Sequence, residues 1–195
     1  PGIDLIQVSI SSATLQCNEY PDTDGFMLIY CRTGHMNWVQ DGDTEIHLGH
    51  GDFVLAPLNR MFGTVLFFPS EMFEGLLLMI NPNTMSAYPP EILNGTGVTA
   101  DQLKQKFCAD DSCTTIHGNE QTDRIFAGFF DQPEQYEHAY RQLMTLELFM
   151  YLVREEIHGI PAVKRTHSEQ ISIIREVHAY LLDNMDLRIT IDMLA

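Results

Sequence analysis

The sequence predicts an α+β chain that is mostly β: a small antiparallel barrel or sandwich, then a helical region with one long helix. Three observations predict it. The stretch from Phe26 to Pro57 holds short runs of alternating apolar and polar residues, cut by Thr33-Gly34, Asp41-Gly42-Asp43 and Gly49-His50-Gly51, as antiparallel strands with tight turns do. Such short, closely spaced strands close into small barrels or sandwiches. From Pro89 the period changes to steps of three and four, with Gly and Pro placed as helix stops.

The 195 residues suffice for one or two domains with a real core. Hydrophobic content of 45% and charged content of 19% mark a globular chain. The formal net charge of −16 argues against strong DNA binding by these residues alone, because binding to phosphate rests on Lys and Arg. No apolar run is long enough for a transmembrane helix, and no signal-peptide pattern is present. Four cysteines without a Cys-x-x-Cys pair could make two disulfides in a secreted protein, but in a chain with a core of this size buried free thiols in a reducing cytoplasm are the favoured reading. The start at Pro1-Gly2, without Met, sets the expectation of a piece of a longer protein.

Taken in order, Ile3 to Ile10 and Ala13 to Cys17 predict strands, and Asn18 to Gly25 predicts a loop. The hairpin around Asp41-Gly42 allows two registers. A three-residue loop sets Trp38 opposite Ile46 and Met36 opposite Leu48, leaving Asn37, Glu45 and His47 on the other face; this cleaner segregation is favoured, since a one-residue slip exchanges the faces. Met61 to Phe68 and Phe73 to Ile80 predict two strands buried on both faces. Thr99 caps a helix to Phe107, and Asn119 or Glu120 opens another to about Phe130. Pro133 starts the long helix, which Gly159 and Pro161 stop. It carries one apolar stripe through Tyr136, Tyr140, Leu143, Leu146, Met150, Val153 and Ile157, and a second through Met144, Leu148 and Leu152. One stripe can cover the barrel while the other meets a partner; that both are core stays open. Residues 160–167 read as a basic linker, Ser168 caps a further helix, and Thr190 begins one that is cut short.

No motif declares catalysis. Gly-x-Ser-x-Gly, His-x-His and His-Glu-x-x-His are all absent. His35, Glu45 and His47 could approach across the hairpin, but exposed histidines explain them as well. A barrel lined by Tyr30, Trp38, Phe53, Met61, Phe62 and Phe67, with Arg32, Asn37 and His47 as directional groups, suits a small-molecule site. The same aromatics would serve equally to fill the barrel.

Gly34, Asp41-Gly42, Gly51-Asp52 and Pro57, in that order, resemble the N-terminal cupin-type domain of the AraC/XylS family of bacterial transcription regulators. Residues 170–195 are similar to the entry of that family's DNA-binding domain, with a Thr-initiated helix beginning in Leu-Ala. The resemblance implies a cupin-like barrel or jelly roll over 1–92, a helical dimerisation region over 93–165, and the start of a helix-turn-helix domain over 166–195. It implies an unidentified small-molecule effector in the barrel and a homodimer; periodicity then picks Tyr30, Arg32, Trp38, His47 and Phe62 as effector-binding candidates and Leu143, Leu146, Met150 and Val153 as candidates for the dimer contact. DNA would be reached only through the further C-terminal portion. No cofactor is expected: Phe62 stands where catalytic cupins place a metal-binding His, and Thr23, Asp24 and Met27 stand near the first motif's ligands. A metal-dependent cupin isomerase or dioxygenase, and a dimerisation module without ligand, are the rival readings.

Overall fold

A computed structural model describes residues 2–17, 24–40, 44–130, 132–154, 156–161, 163 and 164. The predicted strand at Ile3–Ile10 forms as β1, followed by a shorter β2 at Thr14–Gln16. The Phe26–Pro57 stretch gives β3 (Phe26–Gly34), β4 (Met36–Val39), β5 (Thr44–Leu48) and β6 (Phe53–Pro57). In place of one strand from Met61 to Phe68, a helical turn α1 (Leu58–Met61) precedes a short β7 (Val65–Phe67). The strand at Phe73–Ile80, β8, forms as expected.

The helices are α2 (Pro82–Ala87), α3 (Ala100–Phe107), α4 (Glu120–Ala127) and α5 (Glu137–Leu152). Three further short strands are β9 (Thr114–Ile116), β10 (Ile160–Pro161) and β11 (Val163–Lys164). The caps read from sequence are in place. Thr99 closes a capping box with Gln102 on α3, and Asn119 does the same with Thr122 on α4. The long helix is shorter than its stripe: a 3₁₀ turn at Glu134–Tyr136 precedes it, and it ends at Leu152. The segment read as a linker is tied down, since β10 pairs with β9 and β11 with β5. The expected helices after residue 165 lie outside the described residues.

Two antiparallel sheets form a cupin-like jelly roll. One runs β1-β8-β3-β6-β9-β10 and the other β11-β5-β4-β7-β2. The chain changes sheets between β3 and β4, at Gly34. Its φ of +87° and the Met72 carbonyl oxygen, 2.1 Å from where a Cβ would stand, leave no room for another residue. The β4–β5 hairpin has the favoured register, Trp38 opposite Ile46 and Met36 opposite Leu48.

β3 and β6, at the centre of the six-stranded sheet, are buried on both faces, which is why they read as continuous apolar runs, whereas β1 at its edge alternates with exposed residues. On β3, Met27, Ile29 and Cys31 face the second sheet, packing with Trp38, Ile46, Leu66, Phe68 and Phe73. Phe26, Leu28 and Tyr30 point the other way, into a second cluster with Leu103, Phe107, Phe126, Leu148 and Phe149 of the helices. α5 therefore buries the stripe containing Leu148 and Leu152 against the sheet and turns Leu143 and Met150 outward, 49% and 51% exposed.

Candidate functional site

The five residues expected to bind an effector do not share a cavity. Trp38 is fully buried between the sheets, with its indole N–H donating to Thr64 Oγ1 at 3.1 Å. Phe62 is half-buried and packs against that same cluster. Tyr30 lies on the opposite face of the six-stranded sheet, stacked on Phe126 with ring centroids 3.9 Å apart. Arg32 joins it there, its guanidinium 4.5 Å from the centre of the Phe130 ring. His47 is on the outer face of the smaller sheet, where Nδ1 meets Asn37 Oδ1 at 3.0 Å and Nε2 lies 3.7 Å from Glu45. One pocket lined by all five is thus corrected to three separate environments. The physical reason is the change of sheets at Gly34: β3 and β4 belong to different sheets, so alternation on one does not carry over to the other.

The space between the sheets is filled by large side chains. Trp38, Phe68, Met27, Met36 and Ile46 are each at most 1% exposed. Burial also pushes the Cys31 thiol from its usual 9.0 up to about 12, with Asp52 adding to the shift. Tyr30, in the helix-side cluster, is raised to about 12, first by burial and then by Asp123.

A large cleft lies outside the barrel. It measures about 1020 Å³ and is bounded by the start of β1, residues 88–92 and one face of α5. Ile3, Leu5 and Ile92 give it apolar walls. α5 contributes His138, Arg141, Gln142 and Thr145, spaced three and four residues apart and so on one face. Arg141 pairs with Glu137 one turn earlier, while its buried Nε donates to no group among the described residues. Thr145 is held in place by donating to the Arg141 carbonyl at 2.7 Å. The sequence reading missed this polar stripe beside the two apolar ones; the spacing 138, 141, 142, 145 was the available signal.

A second hollow of about 430 Å³ runs along the outer face of α5, between Leu143, Leu146, Met150 and Tyr151. Three of the four residues expected at a dimer contact line it; Val153 instead packs partly buried against the helix-side core. Lys106 holds the end of this helix by donating to the carbonyls of Leu152, at 3.0 Å, and Arg154. Among the described residues no three His, Cys, Asp or Glu side chains gather so as to hold a metal ion, and no helix is long and apolar enough to cross a membrane.

No family model and no curated protein matches the chain. Among solved structures it is similar to ToxT of Vibrio cholerae, an AraC-family regulator, in a form bound to an unsaturated fatty acid. That likeness covers 98% of this chain and 67% of ToxT, at 8% identity and a TM-score of 0.50. A 1.65 Å structure of ToxT gives 0.49 at 7% identity, over 100% of this chain and 70% of that one. Oxalate decarboxylase of Bacillus subtilis gives 0.30 at 13% identity, over 63% and 36%. The first of these shows a shared fold, and at such identity the fold alone. It is the fold that the sequence resemblance implies.

Proposed function

We propose that this chain is the ligand-sensing and dimerisation module of an AraC-type bacterial transcription regulator, working in the cytoplasm and reaching DNA through a C-terminal domain that begins within residues 166–195. The observation that carries this reading is the fold shared with ToxT along 98% of the chain. The order of Gly34, Gly51-Asp52 and Pro57 supports it independently. The net charge of −16 fits a module that leaves DNA contact to another part of the protein. α5 suits the dimer role: it is anchored by Leu148, Phe149 and Leu152, and it presents the apolar side chains of Tyr140, Leu143 and Met150 to solvent.

A ligand acts on such a module by binding one arrangement of its helices better than another. The test is a thermal-shift screen of metabolites on this chain, with unsaturated fatty acids included because of the ToxT complex. A ligand at one hundred times its Kd should stabilise the protein by about 2.7 kcal/mol. For a chain of this size that moves the melting temperature by roughly 5–10 °C. A hit that also changes the operator affinity of the full-length protein supports the proposal. A screen with no hit, together with DNA binding indifferent to every compound, would leave only a dimerisation role.

A further inference from the structure

We propose that the effector site is the cleft between β1, residues 88–92 and α5, outside the barrel, and that it takes a molecule with an apolar body and a single carboxylate. The proposal rests on the sensor reading above and adds to it the place and the chemistry.

The space between the sheets offers no room, since Trp38 and Phe68 close it at 0% and 1% exposure. The cleft, at about 1020 Å³, is at the upper end of the roughly 300–1,000 Å³ usual for small-molecule sites. Its apolar walls are Ile3, Leu5 and Ile92, all half-buried and all packed against the helix-side core, so they are fixed in place before any ligand arrives. Its cationic group is Arg141. A guanidinium presents its N–H groups as a planar fork that matches a carboxylate. The Glu137 carboxylate occupies one arm of that fork, Nε is buried and meets no acceptor among the described residues, and the side chain as a whole stays about one-third exposed, at 34%. A carboxylate that shifts the Arg141 side chain from its cover satisfies a donor that the described residues leave unpaired, and the exposed part of the guanidinium meets it first. The rim selects for low charge: Asp4 and Glu91 stand exposed at the mouth and repel a phosphate or a dicarboxylate more than a monocarboxylate.

The site also has a route to the rest of the module. His138, Arg141, Gln142 and Thr145 face the cleft, while Leu143, Leu146 and Met150 line the outer hollow of the same helix. A ligand that draws Arg141 toward β1 acts on the element that carries the apolar stripe. Coupling needs no more than a different fit of the ligand to two settings of α5.

The test uses oleate below its micelle concentration, with oleyl alcohol as the uncharged analogue, and calorimetric titration of three proteins: the natural chain, Arg141→Gln and His138→Trp. His138 is exposed, so the larger ring blocks the cleft without entering the core. We expect oleate to bind the natural chain, to bind Arg141→Gln about tenfold or more weakly, as for a lost charge-assisted anchor, and to fail with His138→Trp. The alcohol should bind all three equally poorly. Melting temperatures without ligand verify that both variants are folded. Equal oleate binding by the natural chain and a folded Arg141→Gln would overturn the cleft while leaving the sensor reading intact. No oleate binding to the natural chain overturns the cleft as well, and the sensor reading falls only if the wider metabolite screen is also silent.

Discussion

The space between the two sheets and the outer stripe of α5, which the sequence assigns to an effector and to a partner respectively, are opposite in structure. Between the sheets, Trp38, Met27, Met36, Ile46 and Phe68 close on one another with no exposure above 1%. Around α5, one face meets the core, a second opens on a cleft of about 1020 Å³, and a third leaves Leu143 and Met150 half exposed. Aromatic content therefore says little about where a barrel protein keeps its ligand. Large side chains are what fills a small barrel, and room for a guest arises where separate layers meet imperfectly.

The strongest way to break this contrast is Trp38→Ala. If the inter-sheet space is filled by protein, removing the indole leaves a cavity and takes away the donor that meets the Thr64 hydroxyl at 3.1 Å, while the hydroxyl keeps its own bond to the Met61 carbonyl. The expected loss is about 3–5 kcal/mol in chemical denaturation, a large share of the roughly 5–15 kcal/mol that holds a domain together. A loss under about 1 kcal/mol would mean that the space is slack enough to admit a ligand.

Much of this contrast was written in the chain, and what was not has a specific cause. Period-two alternation placed Trp38 with Ile46 and Met36 with Leu48, because only one face of that hairpin is apolar. On β3 both faces are apolar, so alternation groups Phe26, Leu28 and Tyr30 without saying which side they look to. The helix caps at Thr99 and Asn119 were legible because a cap is a contact three residues long. The pairing of β10 with β9 and of β11 with β5 was not, since it joins residues more than forty apart. The cleft was invisible for the same reason: β1, residues 88–92 and α5, which bound it, lie far apart along the chain.

A second test uses pH. Cys31 between the sheets and Cys108 on the helix side are both pushed by burial from 9.0 to about 12. In the unfolded chain these thiols lose their protons near pH 9, while in the folded protein they keep them. The unfolded state then binds fewer protons, so stability falls as pH rises from about 9 toward 12 and is fully present below 9. Urea midpoints measured across that range should decline, and Cys31→Ala should flatten part of the decline. A midpoint that does not change between pH 9 and 11 would show that water reaches these thiols.

The smallest expected effect on folding is also the one that bears most on assembly. Leu143 and Met150 lie on α5 away from both cores, 49% and 51% exposed, so glutamates there remove little burial within one chain. Surface changes of this kind cost within about 0.5 kcal/mol. If the stripe is instead the face that a second copy covers, the double variant places four carboxylates in one apolar contact, two from each chain. Charge buried there without a partner is strongly disfavoured. Light scattering should then report a dimer for the natural chain and a monomer for Leu143→Glu/Met150→Glu, with the urea midpoint of the monomer little changed. A natural chain that is monomeric at high concentration, or a variant that still dimerises, would move the contact away from α5. The cleft on its neighbouring face would then have lost its simplest route to the rest of the regulator.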